Sequence, residues 1–300
     1  MLIVNFKGGL GNQMFQYAFY LELEKHNQDV YANLSWFKNN KTDTKRPFML
    51  NKAFNIELNE IKKNQSSNFT LPFLFRAINK ILLNKINYKI INSSENLIIE
   101  NPNVKEEYYL SKKEGYLDGY WQNERYFLNV KDQIINEFTF NITDTRVKSI
   151  ENDIISNENP VSLHWRRGDY VGNSAHDVLR PKYFLNALNF IMEREPISRL
   201  YVFTEDFDWV ERKLIEFDLD IDFKIVSREL LNIDDYNEMY LMSICKHNIL
   251  SNSSFSWWGA YLNKYSNKIV LAPKIWYGEQ SLELFNSSIT PNSWKRIEVS

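Results

Sequence analysis

A short apolar run, Val161 to Leu163, is bounded upstream by Pro160 and leads straight into His164, Trp165, Arg166, Arg167, Gly168, Asp169 and Tyr170. A run of that length reads as a buried strand, and the charged residues behind it read as a site at its carboxyl end. The alternation then repeats. Helical spacing over Pro181 to Met192 precedes a strand at Leu200 to Phe203, and Asp208 to Phe217 precedes Phe223 to Val226. Tyr236 to Cys245 is followed by His247 to Leu250, and a further strand spans Lys268 to Leu271. Strands separated by helices of this length predict an α/β, doubly wound parallel sheet. Three strand ends, after Leu163, Phe203 and Leu250, carry polar residues and converge on one rim of such a sheet.

The residue types on that rim point to an anionic ligand. A guanidinium is always charged and grips phosphate bidentately, so Arg166 and Arg167 suit a phosphate site, with an ordinary surface ion-pair cluster as the plainer alternative. Gly168 lets the backbone turn closely and Asp169 can hold one arginine in a fixed rotamer. Ser251, Asn252, Ser253 and Ser254 open a helix, where hydroxyls and free amides both donate; capping alone is the alternative. Glu205 or Asp206 at the neighbouring strand end suits the N1 and N2 donors of a guanine. Asp206 and Asp208 are spaced to share a hard divalent cation. A rim with arginines at the phosphates does not need that cation, so no metal and no cofactor are expected.

The first half is less regular. Leu2 to Phe6 reads as a strand that enters the glycine turn Lys7 to Gln13, after which apolar residues recur at helical spacing through about His26. The turn has neither the GxGxxG spacing nor a GK[ST] sequence. Asp29 to Ala32 reads as a second strand, Lys38 to Asn68 as loops, and Leu71 to Ile91 as an amphipathic helix opened by Pro72. Tyr116 to Phe127 mixes rings with polar side chains. Asp118, Tyr120, Trp121, Gln122 and Glu124 fit one wall of a sugar pocket, or a strand end packed into the core. Polar residues from Asn141 to Pro160 predict a boundary between domains 1–158 and 159–300.

Composition removes several classes. A formal charge of −2 provides no basic field for nucleic acid or acidic membranes. One cysteine, Cys245, leaves no internal disulfide or CxxC zinc site, and its apolar helical setting predicts an inert thiol. Neither a signal peptide nor a membrane span is visible, which predicts a cytoplasmic protein with peripheral membrane contact left open. The Asn, Ile and Lys bias suggests an AT-rich bacterial genome.

Gly8 to Tyr17, Gly119 to Gln122, His164 to Tyr170 and Asn252 to Ala260 occur together and in this order. The set resembles glycosyltransferase family 11, the α-1,2-fucosyltransferases of bacterial type. It spans nearly the whole chain, with nothing specific from Lys38 to Asn103. Trp165 stands where an aliphatic residue is usual, and Phe203-Thr-Glu-Asp206 replaces a more usual Ser-Asp-Asp. The resemblance implies a GT-B architecture, two Rossmann-like domains facing across a cleft, with the last helix free to pack back on the N-terminal domain. It implies GDP-β-L-fucose in the C-terminal half and a galactoside-terminated acceptor, lactose or a lipid-linked surface glycan, in the N-terminal half. Arg166 then contacts the β-phosphate, His164 and Asp169 order it, and Arg167 supports it. Asn252, Ser253, Ser254 and Phe255 form the diphosphate and nucleoside turn. Asn12 and Gln13 face the reacting centre, and Asp118 and Glu124 are candidate bases. The implied reaction is an inverting transfer of fucose to a galactose 2-hydroxyl. A metal-dependent transferase using Asp206 and Asp208, and a non-catalytic glycan- or nucleotide-binding module, are the alternatives.

Overall fold

Strand β1, Leu2–Asn5, is buried at every position, as a strand covered on both faces must be. In the computed structural model, which describes residues 1–27, 29–39, 46–61, 97–278, 283–286 and 288–300, it lies at the centre of the first sheet. Its partners are β2 (Val30–Asn33) on one side and β4 (Gly115–Asp118) on the other, with β3 (Leu97–Ile99) beyond β4. All pairings are parallel, and Ile3 sits opposite both Tyr31 and Tyr116. The helix Leu10–His26 follows β1 and is buried continuously from Leu10 to Leu23 except at Asn12. The helix expected over Leu71 to Ile91 lies outside the described residues.

The chain divides into two compact units, Met1–Ile134 and Ile135–Ser300. That division falls ahead of the boundary predicted at 158/159. The reason is the helix Thr145–Ser156, whose Val147, Ile150 and Ile154 bury against Tyr201, Phe203, Leu241 and Met242 and so belong to the second core.

The second unit holds six parallel strands: β5 (Pro160–His164), β6 (Arg199–Phe203), β7 (Phe223–Val226), β8 (His247–Ile249), β9 (Val270–Pro273) and β10 (Lys295–Ile297). Their spatial order is β10-β9-β8-β5-β6-β7. Alternate residues of β6 serve opposite faces: Leu200 and Val202 pack with the helix Pro181–Met192, Tyr201 and Phe203 with the helix Asp235–Ser243. From β5 the chain steps outward to β7, then crosses back to β8 on the other side of β5. The strand order therefore reverses beside β5, and crevices at such switch points bind ligands in open α/β sheets. The last regular element is the edge strand β10.

Both units are parallel sheets with helical crossovers, the two Rossmann-like domains of the GT-B architecture. Among the described residues no helix is long and apolar enough to cross a membrane.

Candidate active site

β5, β6 and β8 end side by side. Trp165 N still donates to Phe203 O of β6 at 2.9 Å, but the next amide, Arg166 N, turns to the Ser251 hydroxyl at 2.8 Å. That hydroxyl in turn donates to His164 O at 2.8 Å. Buried Ser251 thus stitches the end of β5 to the turn after β8.

Two carboxylates fix the Arg166 guanidinium. Its Nη2 lies 2.6 Å from Asp169 Oδ1 and its Nη1 3.0 Å from Glu205 Oε1, with the Tyr170 ring 5.5 Å away. Arg167 Nε donates to Asp206 Oδ2 at 2.8 Å, and its guanidinium stacks on Trp209 at 3.5 Å. Glu205 Oε1 also accepts from Arg167 N at 3.3 Å. Gly168 makes that approach feasible. Its φ is +29°, and a Cβ there would meet Glu205 Oε1 at 2.4 Å. Glu205 or Asp206 was read as facing a guanine; in the structure both carboxylates brace the arginines. An acid at the adjacent strand end is the nearest complement to a guanidinium.

His164 is buried. Burial, with the cationic fields of Arg166 and Arg228 adding, pulls its imidazole down to about 3, so it is neutral at ordinary pH. Its Nδ1 has no hydrogen-bond partner among the described residues, and its ring tilts against Phe255 at 5.9 Å. Asn252 directs its amide to His176 O and Trp276 O, both at 2.9 Å, and so ties two loops together. Ser253 caps the helix Ser254–Tyr261 by accepting from Phe255 N at 3.3 Å. Ser254 and Phe255 are partly exposed on its first turn.

Glu238 is a buried acid whose surroundings the sequence pattern hid. Burial pushes its carboxyl up to about 8 against the opposing pull of Arg228, whose backbone N donates to it at 2.6 Å. In sequence it is one acid among Met239, Leu241 and Met242 in a helix, with no spacing signal. Cys245 is buried and burial pushes its thiol well above the ordinary value, as expected of an inert core cysteine.

A second rim lies at the carboxyl ends of β1 and β4. Lys7 Nζ sits 2.7 Å from Asp118 Oδ1, which also accepts from Asn5 Nδ2 at 2.9 Å. Gln122 Nε2 donates to Asn12 Oδ1 at 2.7 Å, joining the glycine turn to the Gly119–Gln122 turn. Tyr120 is exposed, with Lys7 Nζ 4.8 Å from its ring centroid. Glu124 opens a 3-10 helix, Glu124–Val130.

Two expected acceptor contacts are internal instead. Gln13 is fully buried, donating to Gly8 O and Pro47 O and accepting from Met49 N, so it braces the turn. Trp121 is also fully buried, stacked on Phe19 at 4.0 Å, because its backbone directs the ring into the core. Gln16, unremarked in the sequence, accepts from Lys7 N at 3.0 Å and donates to Gly119 O at 3.2 Å.

Asp206 is bound to Arg167, and Asp208 lies in the first turn of the helix Phe207–Glu216. Among the described residues, no three His, Cys, Asp or Glu side chains gather as a metal site.

The profile of Glycosyl transferase family 11 matches residues 1–298. An alpha-1,2-colitosyltransferase of Escherichia coli is 32% identical over 310 residues, covering 99% of either chain. The O-antigen biosynthesis glycosyltransferase WbnK, also of Escherichia coli, is 32% identical over 96% of this chain and 97% of its own. Among solved structures, the fucosyltransferase NodZ from Bradyrhizobium superposes over 86% of this chain and 92% of its own, with 11% identity and a TM-score of 0.51. A NodZ alpha-1,6-fucosyltransferase soaked with GDP-fucose gives 0.52 at 12% identity, over 87% and 92%.

Proposed function

The chain belongs to glycosyl transferase family 11, and from that premise we propose that it transfers L-fucose from GDP-β-L-fucose to the 2-hydroxyl of a terminal β-galactoside with inversion. The observation that carries this reading is the Arg166 guanidinium, fixed at the switch point by Asp169 and Glu205. Cleavage of the fucose C1–O bond leaves the bonding pair on the β-phosphate oxygen of GDP and an oxocarbenium-like sugar. A preorganised guanidinium beside that oxygen stabilises the developing charge more than the ground state. The galactose 2-oxygen attacks C1 from the opposite face and loses its proton, giving the α linkage. Asp118, oriented by Lys7 and Asn5, is the better placed of the two carboxylates read as bases.

Several features support the finer points. We assign Ser254 and Phe255, both partly exposed, to the nucleoside end, and Asn12, Tyr120 and Gln122, an amide pair and an exposed ring, to the acceptor. The arginines already supply the positive charge a metal would bring, so the reaction proceeds in chelator.

The 32% identity to a colitosyltransferase favours a second donor reading, in which the sugar is fucose lacking its 3-hydroxyl. Both readings are tested by following GDP release from GDP-fucose and from GDP-colitose, with lactose as acceptor and EDTA present, and analysing the product linkage. Turnover of GDP-fucose to an α-1,2 product supports the proposal. Turnover of GDP-colitose alone would transfer it to the second donor. Binding without release of GDP in either case would leave a non-catalytic module.

A further inference from the structure

Trp121 occupies a backbone conformation that large side chains avoid, with φ at 56°. The other described non-glycine residues at positive φ are Asn55, Asp218 and Asn232, types that tolerate this region. The indole N–H of Trp121 is also buried with no hydrogen-bond partner among the described residues. Two unfavourable features in one residue persist only where the surroundings over-determine it.

What holds the turn is Glu100. Its Oε2 accepts from both Tyr120 N and Trp121 N at 2.8 Å, and its own amide donates to Asp118 O at 3.0 Å, extending the pairing of β3 with β4. Glu100 as a residue is half-buried. Burial raises its proton affinity, and the two amides with Lys7 and Arg125 oppose that rise. Gly119 is what lets Glu100 in: a Cβ there would lie 2.5 Å from Glu100 Cβ and 2.7 Å from Oε2.

The strained turn has a clear product. It buries the Trp121 ring on Phe19 and leaves the residues on either side at the rim, Tyr120 exposed beside Lys7 and Gln122 bonded to Asn12. We propose that Glu100 is a positioning residue for the acceptor, its carboxylate holding the Tyr120–Trp121 turn so that Tyr120 and Gln122 meet the sugar. This rests on the reading of that rim as the acceptor side.

The test is steady-state kinetics of the full chain carrying Glu100→Gln or Gly119→Ala, with lactose varied at saturating GDP-fucose and the converse. Both variants should raise the acceptor KM roughly tenfold and leave the donor KM within about twofold. A merely structural role would lower the melting temperature and kcat through the folded fraction, with neither KM moved, and would overturn the proposal. So would a rise in donor KM at constant acceptor KM, which leaves fucosyl transfer intact and assigns the turn to the donor. Adding Tyr120→Ala to Glu100→Gln should raise the acceptor KM no further than about twofold, because the two act through one element. Multiplying effects would overturn it. If wild type turns over only GDP-colitose, the donor reading fails and the same KM comparison, made with that donor, still decides the role of Glu100.

Discussion

The two rims solve the problem of presenting polar groups at strand ends in different ways. The rim of the second unit is built from charge: Arg166 between Asp169 and Glu205, and Arg167 between Asp206 and Trp209. The rim of the first is built largely from amides and backbone: Asn12 to Gln122, Gln13 and Gln16 to main-chain groups, and a strained turn at Trp121. Charge pairs hold a cation firmly, which suits the leaving diphosphate of the proposed reaction. Amides and a turn set shape, which suits a neutral sugar whose recognition is a matter of fit. Disrupting the charged rim should therefore slow the chemistry, whereas disrupting the other should weaken acceptor binding.

The sharpest break of that contrast is Arg166→Ala. It should reduce kcat about a hundredfold or more, by analogy with loss of one oxyanion donor, with the acceptor KM little changed. A comparable loss confined to KM would erase the distinction between the rims.

Stability against pH comes next, because His164 and Glu238 in the second unit act in opposite senses. His164 refuses a proton that the unfolded chain takes up below 6.5, so stability falls as pH drops from 6.5 to about 3. Glu238 keeps a proton that the unfolded chain loses above 4.5, so stability falls as pH rises from 4.5 to about 8. Each limb has a slope of about 1.4 kcal/mol per pH unit at most, and the two oppose one another between 4.5 and 6.5. Denaturant titrations of His164→Gln should lose the acid limb, and those of Glu238→Gln the alkaline one.

Gly168→Ala pushes Glu205 away from Arg166 and should cost on the order of tenfold in kcat, read from initial rates at saturating substrates. Gln122→Ala, on the other rim, removes one hydrogen bond and should raise the acceptor KM roughly fivefold with kcat retained. The smallest effect is expected from Asp208→Asn assayed in EDTA, within about twofold of wild type, since the arginines carry the charge.

The second unit was far more legible in the sequence than the first. Its strands are short apolar runs flanked by regular helical spacing, and three of them end in polar residues, so the convergence of Leu163, Phe203 and Leu250 followed from topology alone. What the sequence could not show was the partner of each acid. Glu205 and Asp206 read as ligand groups, and only the register of β5 with β6 puts them beside Arg166 and Arg167. In the first unit, Trp121 and Gln13 look like pocket residues by type. A backbone dihedral and the loop at Pro47 to Met49 decide that both are internal, and neither leaves a local sequence signal. Glu100 was invisible for the same reason: its two amide partners follow from a turn, not from spacing.

The hydroxyl of Ser251 and the carbonyl of His164 are 87 residues apart in the chain. Apart from the Arg166–Asp169 pair, the contacts of the charged rim join residues far apart in sequence. During refolding, β5 to β7 can associate as the chain is read outward, yet the crossing back to β8 must close a long loop before Ser251 reaches Arg166. Secondary structure and even a collapsed core should thus return before activity does, and the interval between them measures how slowly a parallel sheet completes its last distant contact.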